Sequence, residues 1–345
     1  MSAPRRSTAQ DVADLAGVSR SSVSLVLNGR GDGNLTAAKQ VAVLEAARQL
    51  KYRPNAVALS LRSQRTWTLG VVTWRGASGF PQEMLHGVWE TASAAGYLMI
   101  FMDTPDGHDR DHRAVTALLD RRVDGIIVVA PELVDYPITE ILGPVPKILI
   151  NCADPQHAVT SIVPDEFGGA AGAAQILIDR GHTKIALLSD APSTTQVHDR
   201  LAGVHHALSD AGLSAPRVYT ADVTVRAGYD LARQALQADP RPTAMVCIRE
   251  RLALGALLAV QDLGLEVPTD LSLISLDDGE RLTSDLVPEL ATVQRPDRAM
   301  AEQSVALLLH EINTSGDQDV RQLSFACPAS LGASVAELGV GSSNP

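Results

Sequence analysis

The sequence predicts a small all-α head followed by a larger α/β body made of two lobes, each containing a doubly wound parallel sheet. Two observations support this fold class. The first 50 residues carry helical patterns and helix caps. From residue 68 onward, short apolar runs alternate with amphipathic segments of helical length, which is typical of parallel sheets covered by helices on both faces.

Size and composition agree with a multidomain globular protein. The chain has 345 residues, enough for two or three domains, and is 45% apolar. It has no apolar run of membrane-spanning length, and MSAPRRSTAQDV lacks the apolar core of a secretory signal. Cys152, Cys247 and Cys327 are far apart without CxxC spacing, so we expect buried thiols in a reducing cytoplasm.

The segment TAQDVADLAGVSRSSVSLVLN predicts two short helices joined by a tight turn. Thr8 and Asp11 match a capping box, and Gly17 suits a left-handed helix end. Ser19 is a good N-cap for the second helix, which would present Arg20 and several hydroxyls outward. This pattern is typical of a helix placed in the DNA major groove, although an ordinary amphipathic helix pair has a similar pattern.

A third helix, AAKQVAVLEAARQLK, follows Thr36 as its N-cap, and the residues KYRPN end it. Asn55 is placed to cap a short fourth helix, AVALSLRS. The apolar stripe expected on the third helix consists of Val41, Leu44, Ala47 and Leu50.

Charge is distributed unevenly along the chain. The net charge is −11, which by itself disfavours nucleic-acid binding. Residues 1–66 nevertheless hold ten Lys/Arg and four Asp/Glu, a balance of +6, whereas the remainder holds 19 and 36, a balance of −17. A basic head on an acidic body indicates that only the head binds phosphate groups.

The body alternates between strand and helix patterns. The strands expected first are TLGVVTW, YLMIFMD, VDGIIVVAP and PKILINC, separated by the helices PQEMLHGVWETASAAG and HRAVTALLDRR and by a short helix near Gly143. A second series contains the strands IALLSD, VYTAD, AMVCI and DLSLISLDD, with four further helices from GGAAGAAQILIDRGHT to RLALGALLAVQDLGL. Two similar halves in series predict a ligand cleft between two lobes, facing the carboxyl ends of the strands.

The head, the YxPN segment, the short helix and the first strand together resemble the LacI/GalR (lactose-repressor-like) family of bacterial transcriptional regulators. The resemblance implies a periplasmic-binding-protein-like body whose chain returns to the first lobe near Gln294 and crosses back later. It implies base contacts from Arg20, Ser21 and Leu25, and a minor-groove wedge from Leu61. The positions it assigns to phosphate contacts, caps and the hinge are Thr8, Ser19, Ser24, Asn28, Thr36, Asn55 and Ala58.

Two features depart from the family pattern. The segment GRGDGNL after Asn28 is unusually long and rich in glycine. Leu25 stands where many relatives carry a polar base contact, and a leucine can touch a thymine methyl but cannot recognise guanine.

The expected domain organisation is a helix-turn-helix head (1–53), a hinge (54–67) and an effector-binding and dimerisation domain (68–345). Within that domain we expect lobe 1 at about 68–168 and 295–323, and lobe 2 at about 169–294 and 324–345.

Candidate effector-binding residues follow the predicted strands or lie at the crossover. They are Trp74, Arg75, Phe80, Asp154, Arg200, Arg249, Asp277 and Gln294. Charged and amide groups can pair with adjacent hydroxyls, and an aromatic face packs on a sugar ring. Each residue alone is equally consistent with a salt bridge or a loop cap; the resemblance places Asp154, Arg200, Asp277 and Gln294 in the family's effector pocket.

Arg249 has two interpretations. Relatives usually have Asn-Asp before the LALG-like helix, whereas this chain has Arg249-Glu250-Arg251. Arg249, with Arg75 and Arg200, could bind an anionic effector such as a sugar phosphate. The alternative is that it pairs with Glu250 or another acid.

The sequence therefore predicts a cytoplasmic, homodimeric or tetrameric repressor that binds a palindromic operator and responds to a sugar or anionic sugar derivative. Dimerisation would bury helices near GFPQEMLHGVW and LALGALLAVQ. We expect no enzyme activity, cofactor, metal or membrane association: GxSxG, GxxxxGK[ST] and HExxH are absent, and HDRDH fits a solvated loop or helix start better than a zinc site. The rival functions are a solute-binding protein and a sugar-acting enzyme.

Overall fold

The computed structural model describes residues 7–29, 31–52, 65–74, 81–104, 108–136, 142–278, 283–314 and 320–338. The chain divides into two compact units, a head that ends at Trp67 and a body that begins at Thr68. In the described residues, no helix is both long and apolar enough to cross a membrane.

The described part of the head contains three helices, α1 (Ala9–Ala16), α2 (Arg20–Leu27) and α3 (Ala37–Gln49). The predicted capping box is confirmed, because Asp11 N–H donates to Thr8 Oγ1 and Thr8 N–H donates to Asp11 Oδ2 at 2.7 Å. Gly17 ends α1 with φ +64°, which glycine adopts without strain. The buried core of the head consists of Val12, Ala13, Val23, Val26, Val43, Ala46 and Ala47.

The apolar stripe expected on α3 is wrong for its first half. Val41 and Leu44 are 60% and 53% exposed, whereas Val43, Ala46 and Ala47 are buried in the core of the head and Leu50 packs against it. The prediction is thus confirmed at Ala47 and Leu50, but the buried stripe starts at Val43, roughly 200° around the helix from Val41. The stripe that is buried has the smaller side chains, which permit close packing of the short helices α1 and α2.

Lobe 1 of the body is assembled from two stretches of chain. The first supplies β1 (Thr68–Thr73), α4 (Gln82–Ala94), β2 (Leu98–Asp103), α5 (His108–Asp120), β3 (Gly125–Asp135), β4 (Lys147–Ala153) and β5 (Ser161–Asp165). The second supplies α10 (Asp297–Thr314) and β11 (Gln322–Ala326). HDRDH thus opens α5, while most of the short helix expected before Gly143 lies outside the described residues.

Lobe 2 contains the remaining elements. They are α6 (Glu166–Asp179), β6 (Ile185–Ser189), α7 (Thr195–Asp210), β7 (Arg217–Thr220), α8 (Val225–Leu236), β8 (Ala244–Cys247), α9 (Glu250–Asp262), β9 (Ser272–Ser275), a 3-10 turn (Thr283–Asp285), β10 (Ala291–Val293) and β12 (Ala329–Ser330).

The two sheets repeat one topology. The strand orders are β2-β1-β3-β4-β5-β11 and β7-β6-β8-β9-β10-β12. All pairs are parallel except β10–β12, and apolar clusters cover both faces of each sheet. The order in which successive strands are added to the sheet reverses between β1 and β3 in lobe 1, and between β6 and β8 in lobe 2. Ligands of open α/β sheets bind at such positions.

Three crossings join the lobes: between β5 and α6, between β10 and α10, and between β11 and β12. At the last crossing β11 keeps residues 322–326 in the sheet of lobe 1, so the boundary expected at 323/324 divides this strand.

Candidate functional site

Helix α2 of the head presents a polar surface. The Ser19 hydroxyl caps it by accepting from Ser22 N–H at 3.1 Å, while Val23 and Val26 are buried against the other helices. Arg20 and Ser21 are exposed, and Ser24 and Leu25 are half-buried beside them. The side chains predicted to contact bases therefore lie near the start of one helix, as major-groove recognition requires.

The head residues predicted to contact phosphate have different local roles. Thr8 and Ser19 are used as caps, and the Asn28 amide donates to the Ser24 carbonyl oxygen at 2.7 Å. Thr36 is the N-cap of α3, but its side chain makes no capping hydrogen bond. An open groove lined by Ser19, Thr36 and Lys39 exposes the first turn of α3, where N–H groups and the helix dipole favour an anion.

Five of the predicted site residues lie outside the described residues: Asn55, Ala58, Leu61, Arg75 and Phe80. Their roles stay predictions.

In the body, the candidate cleft is centred on Arg249. This residue is the N-cap of α9, two residues beyond β8, and is 1% exposed. Its Nη1 donates to Gln196 Oε1 at 2.8 Å, and its Nη2 donates to Asp190 Oδ2 at 3.0 Å and to Glu132 Oε2 at 3.1 Å. Burial lowers the pKa of Arg249, but the carboxylates of Glu132 and Asp190 outweigh it and hold the pKa above its ordinary value. Of the two interpretations of Arg249, the structure therefore supports the one in which it pairs with acidic residues.

A second buried arginine lies next to this cluster. Arg200 Nε donates to Glu166 Oε2 at 2.7 Å, and Gln196 Nε2 donates to Glu166 Oε1 at 2.6 Å. Arg200 Nη2 lies 3.8 Å from Asp277 Oδ1, and both atoms are buried without a hydrogen-bond partner. A ligand hydroxyl can satisfy both atoms at once, because it accepts from a guanidinium and donates to a carboxylate.

The remaining predicted residues are less tightly grouped. Trp74 stacks on Tyr136 with ring centroids 5.8 Å apart, which forms an aromatic wall after β1. Asp154 is buried and closes its own loop, accepting from Gln156 N–H at 3.1 Å and from Ala158 N–H at 2.6 Å. The side chain of Gln294 is exposed at the crossover, where its backbone N–H donates to Pro328 O at 2.9 Å.

A cavity of about 360 Å³ between the lobes has an acidic lining. Asp135 and Asp154 contribute from lobe 1, and Glu166 and Asp199 line it from the lobe 2 side. Burial and then repulsion from nearby acids, Glu166 first, raise the pKa of Asp199. Such a lining disfavours anionic ligands.

Sequence reasoning missed five side chains of this site: Glu132, Tyr136, Glu166, Asp190 and Gln196. A usable signal existed for some of them. Asp190 directly follows β6, much as Asp277 follows β9, and Glu132 lies in the last part of β3. Gln196 lies within a helix and had no comparable signal.

Comparison with known proteins gives consistent results. The model of bacterial regulatory proteins of the lacI family matches residues 8–55, and that of the periplasmic binding protein-like domain matches residues 174–334. The chain is 33% identical to the ribose operon repressor of Escherichia coli K12 over 88% of this chain and 93% of that protein.

Two solved structures have the same fold over nearly the whole chain. A lac repressor dimer bound to operator and the anti-inducer ONPF has a TM-score of 0.80 and 26% identity, covering 96% of this chain and 100% of the other. A complex of the transcriptional regulator CelR with cellobiose has a TM-score of 0.67 and 26% identity, covering 95% and 100%.

Proposed function

The chain belongs to the lacI family of bacterial regulatory proteins and is a DNA-binding transcriptional repressor, and from that premise we propose how it recognises its operator and its effector. The observation that carries the proposal is the polar surface of α2, held in place by the Ser19 cap and by the buried Val23 and Val26. Helix α2 lies in the major groove, and an effector bound between the lobes of the body controls operator affinity.

Base recognition is proposed for Arg20, Ser21 and Leu25 on α2. Arg20 suits a guanine edge, and Leu25 suits a thymine methyl group. The groove at the start of α3, with Thr36, binds a phosphate. Further backbone and hinge contacts are assigned by family resemblance to Thr8, Ser19, Ser24, Asn28, Asn55, Ala58 and the minor-groove wedge Leu61.

The effector is proposed to be an uncharged, polyhydroxylated molecule such as a sugar. A hydroxyl bridges Arg200 Nη2 and Asp277 Oδ1, which are both buried and have no hydrogen-bond partner among the described residues. Trp74 supplies an aromatic wall, and Asp154, Arg249 and Gln294 border the cleft, with Arg75 and Phe80 added from the sequence. Because Arg249 already pairs with two carboxylates, its charge does not call for an anion. The solved CelR complex contains cellobiose.

The oligomeric state of the protein follows from how it reads its operator. Two heads reading two half-sites require a two-fold dimer, and the solved lac repressor is a dimer on operator. We infer a homodimer that acts in the cytoplasm, where its DNA is, and that binds its effector without turning it over. For the organisation of the chain we keep the proposal made from the sequence: a head, a hinge and a two-lobed body.

The test is selection of bound duplexes from a random DNA pool by the full chain. It is repeated with neutral sugars and with their phosphorylated counterparts. We expect a two-fold symmetric duplex whose binding changes with at least one neutral sugar and not with its phosphate. Arg20→Ala is expected to lower affinity for that duplex by about tenfold or more, since one good base contact contributes on the order of 1–3 kcal/mol.

Arg226→Ala, which removes an exposed arginine on α8 in lobe 2 of the body, is the matched control and should leave operator affinity unchanged. Recovery of no symmetric duplex at moderate salt contradicts operator binding. A response to phosphorylated sugars alone contradicts the uncharged effector.

A further inference from the structure

The carboxyl end of β3 extends out of lobe 1 and reaches lobe 2. The ladder between β3 and β4 shifts register there: β3 advances from Val129 to Val134 while β4 advances only from Ile150 to Cys152. The extra residues on β3 lie in a bulge that contains Glu132. We call residues 130–136 the β3 arm.

Two carboxylates of the β3 arm contact the starts of two helices in lobe 2. Glu132 Oε2 accepts from Arg249 Nη2 at 3.1 Å, and Arg249 is the N-cap of α9. Asp135 Oδ1 accepts from the hydroxyl of Thr195, the first residue of α7, at 3.5 Å. Helix N-termini carry partial positive charge, so both contacts have the favourable sign.

The Glu132–Arg249 contact joins the lobes, unlike the hydrogen bonds from Arg249 to Asp190 and Gln196. Asp190 and Gln196, which also accept hydrogen bonds from the guanidinium, both belong to lobe 2, and they hold its plane so that Nη2 faces Glu132. Both members of the pair are buried, at 4% and 1% exposure. Opening the cleft leaves Arg249 with its lobe 2 acid but takes the arginine away from Glu132.

We propose that Glu132 and Arg249 form a built-in clasp that holds the two lobes together in the absence of a bound molecule. The cleft then starts closed, and the effector acts by competing with the clasp or by adding to it. This last step rests on the proposed effector cleft; the clasp itself does not.

The test measures the distance between the lobes in the full chain without ligand. Cys152, Cys247 and Cys327 are buried, so spin labels can be attached to cysteines introduced at exposed Asp120 in α5 and exposed Ser209 in α7. Labelled chain is diluted with unlabelled chain, so that the distance measured by pulsed electron resonance lies within one chain.

Three clasp variants and one control variant are compared in this background. Glu132→Gln and Arg249→Asn each remove one member of the clasp, and both are expected to shift the distance distribution to longer values. The double variant should show the same shift as Glu132→Gln, because either substitution alone already removes the Glu132–Arg249 pair. Arg226→Gln breaks an exposed ion pair with Asp230 inside lobe 2 and should leave the distribution unchanged.

An unchanged distribution in Glu132→Gln overturns the clasp, and so does a double variant whose shift is the sum of two single shifts. Glu132→Gln is decisive if Arg249→Asn does not fold, because it keeps the bonds from Arg249 to Asp190 and Gln196 within lobe 2. On the selected operator, both clasp variants should change affinity in one direction by at least fivefold. If no operator is found, the proposed function fails while the distance measurement still decides the clasp.

Discussion

Asp278 illustrates how burial changes the chemistry of a single residue. Its carboxylate follows β9, beside Asp277, and accepts from Arg295 N–H at 3.3 Å. Burial raises the pKa of Asp278 to about 6; the hydrogen bond from Arg295 opposes this shift, and Asp277 and Asp297 reinforce it. The folded body therefore holds a proton on Asp278 more tightly than the unfolded chain does.

This predicts a pH-dependent stabilisation by Asp278→Asn. Below pH 4 both states of the wild type carry the proton, so the variant gains little. As pH rises through about 6 the folded wild type must hold a buried charge, and its stability falls. The variant avoids this loss. We expect the free energy of unfolding of the variant to exceed that of wild type at pH 8 by at most about 3 kcal/mol, which raises its thermal midpoint, and to exceed it by less at pH 5.

Thermal unfolding followed by tryptophan fluorescence at the two pH values measures the effect. Ser209→Ala, at an exposed position of α7 that carries no titratable side chain, is the control and should give no pH-dependent difference. An Asp278→Asn advantage that is equal at pH 5 and pH 8 contradicts the raised pKa.

The candidate site was partly predictable at this scale. The rule that polar residues after parallel strands line a cleft identified Arg249 and Asp277, and Arg200 was added as the residue that opens the RLAG helix. The same rule applied to β6 would have added Asp190. The charge balance of the cluster could not be predicted, because it depends on Gln196 and Glu166 meeting the arginines across helices α6 and α7.

At the scale of elements, helices α8 and α9 pack with their backbones in contact. Gly228 and Gly255 make this approach possible. A Cβ added to Gly255 would lie 2.5 Å from Tyr229 N and even closer to Val225 O, and one added to Gly228 would lie 2.7 Å from Leu252 Cα. Backbone atoms at such distances cannot rotate away as side chains do, so both helices would have to separate.

Gly255→Ala is therefore predicted to destabilise the body by about 1–3 kcal/mol or more, even though alanine favours a helix. The matched control is Gly172→Ala in α6, where the nearest atom to an added Cβ is 3.9 Å away. That variant should be neutral or more stable by up to about 1 kcal/mol. Chemical denaturation of both proteins compares the free energies of unfolding; equal effects would contradict the packing explanation.

Most elements of the body were predictable because their apolar periods are unambiguous. The prediction was less accurate for the ends of helices and for short strands. Helix α7 begins at Thr195 rather than Asp199, because Thr194 caps it. Strand β5 was missed since it is short and contains Pro164, which cannot donate to a ladder. The structure accommodates Pro164 because the pairing of β5 with β4 ends at Ile162, so no N–H of residue 164 is needed for that ladder.

At the scale of the whole molecule, the head and the body have separate cores. Seven small residues form the buried core of the head, whereas each lobe of the body has apolar clusters on both faces of its sheet. A unit of about 60 residues buries a smaller fraction of its surface than a larger one, so we expect the head to be the less stable unit.

Val43→Ala tests this separation. Val43 is fully buried in α3, and its truncation should destabilise the head by about 2 kcal/mol. The chain has three tryptophans; Trp74 and Trp89 belong to the body, and Trp67 lies at its boundary. We expect helical circular dichroism to fall earlier on heating, with the fluorescence midpoint unchanged. A fluorescence midpoint that moves with the helical signal would show that the units unfold together.

The last part of the chain completes both lobes. Strand β11 adds to the sheet of lobe 1, and the segment after it is tied to lobe 2 by bonds from Leu273 N–H to Ser334 O at 2.9 Å and from Leu338 N–H to Arg180 O at 2.8 Å. A ribosome releases the N-terminus first. The DNA-reading helices can therefore assemble while translation continues, whereas the bonds that complete lobe 2 form only after residue 338 has been made. The reading helices of the repressor are folded before the domain that regulates them is complete.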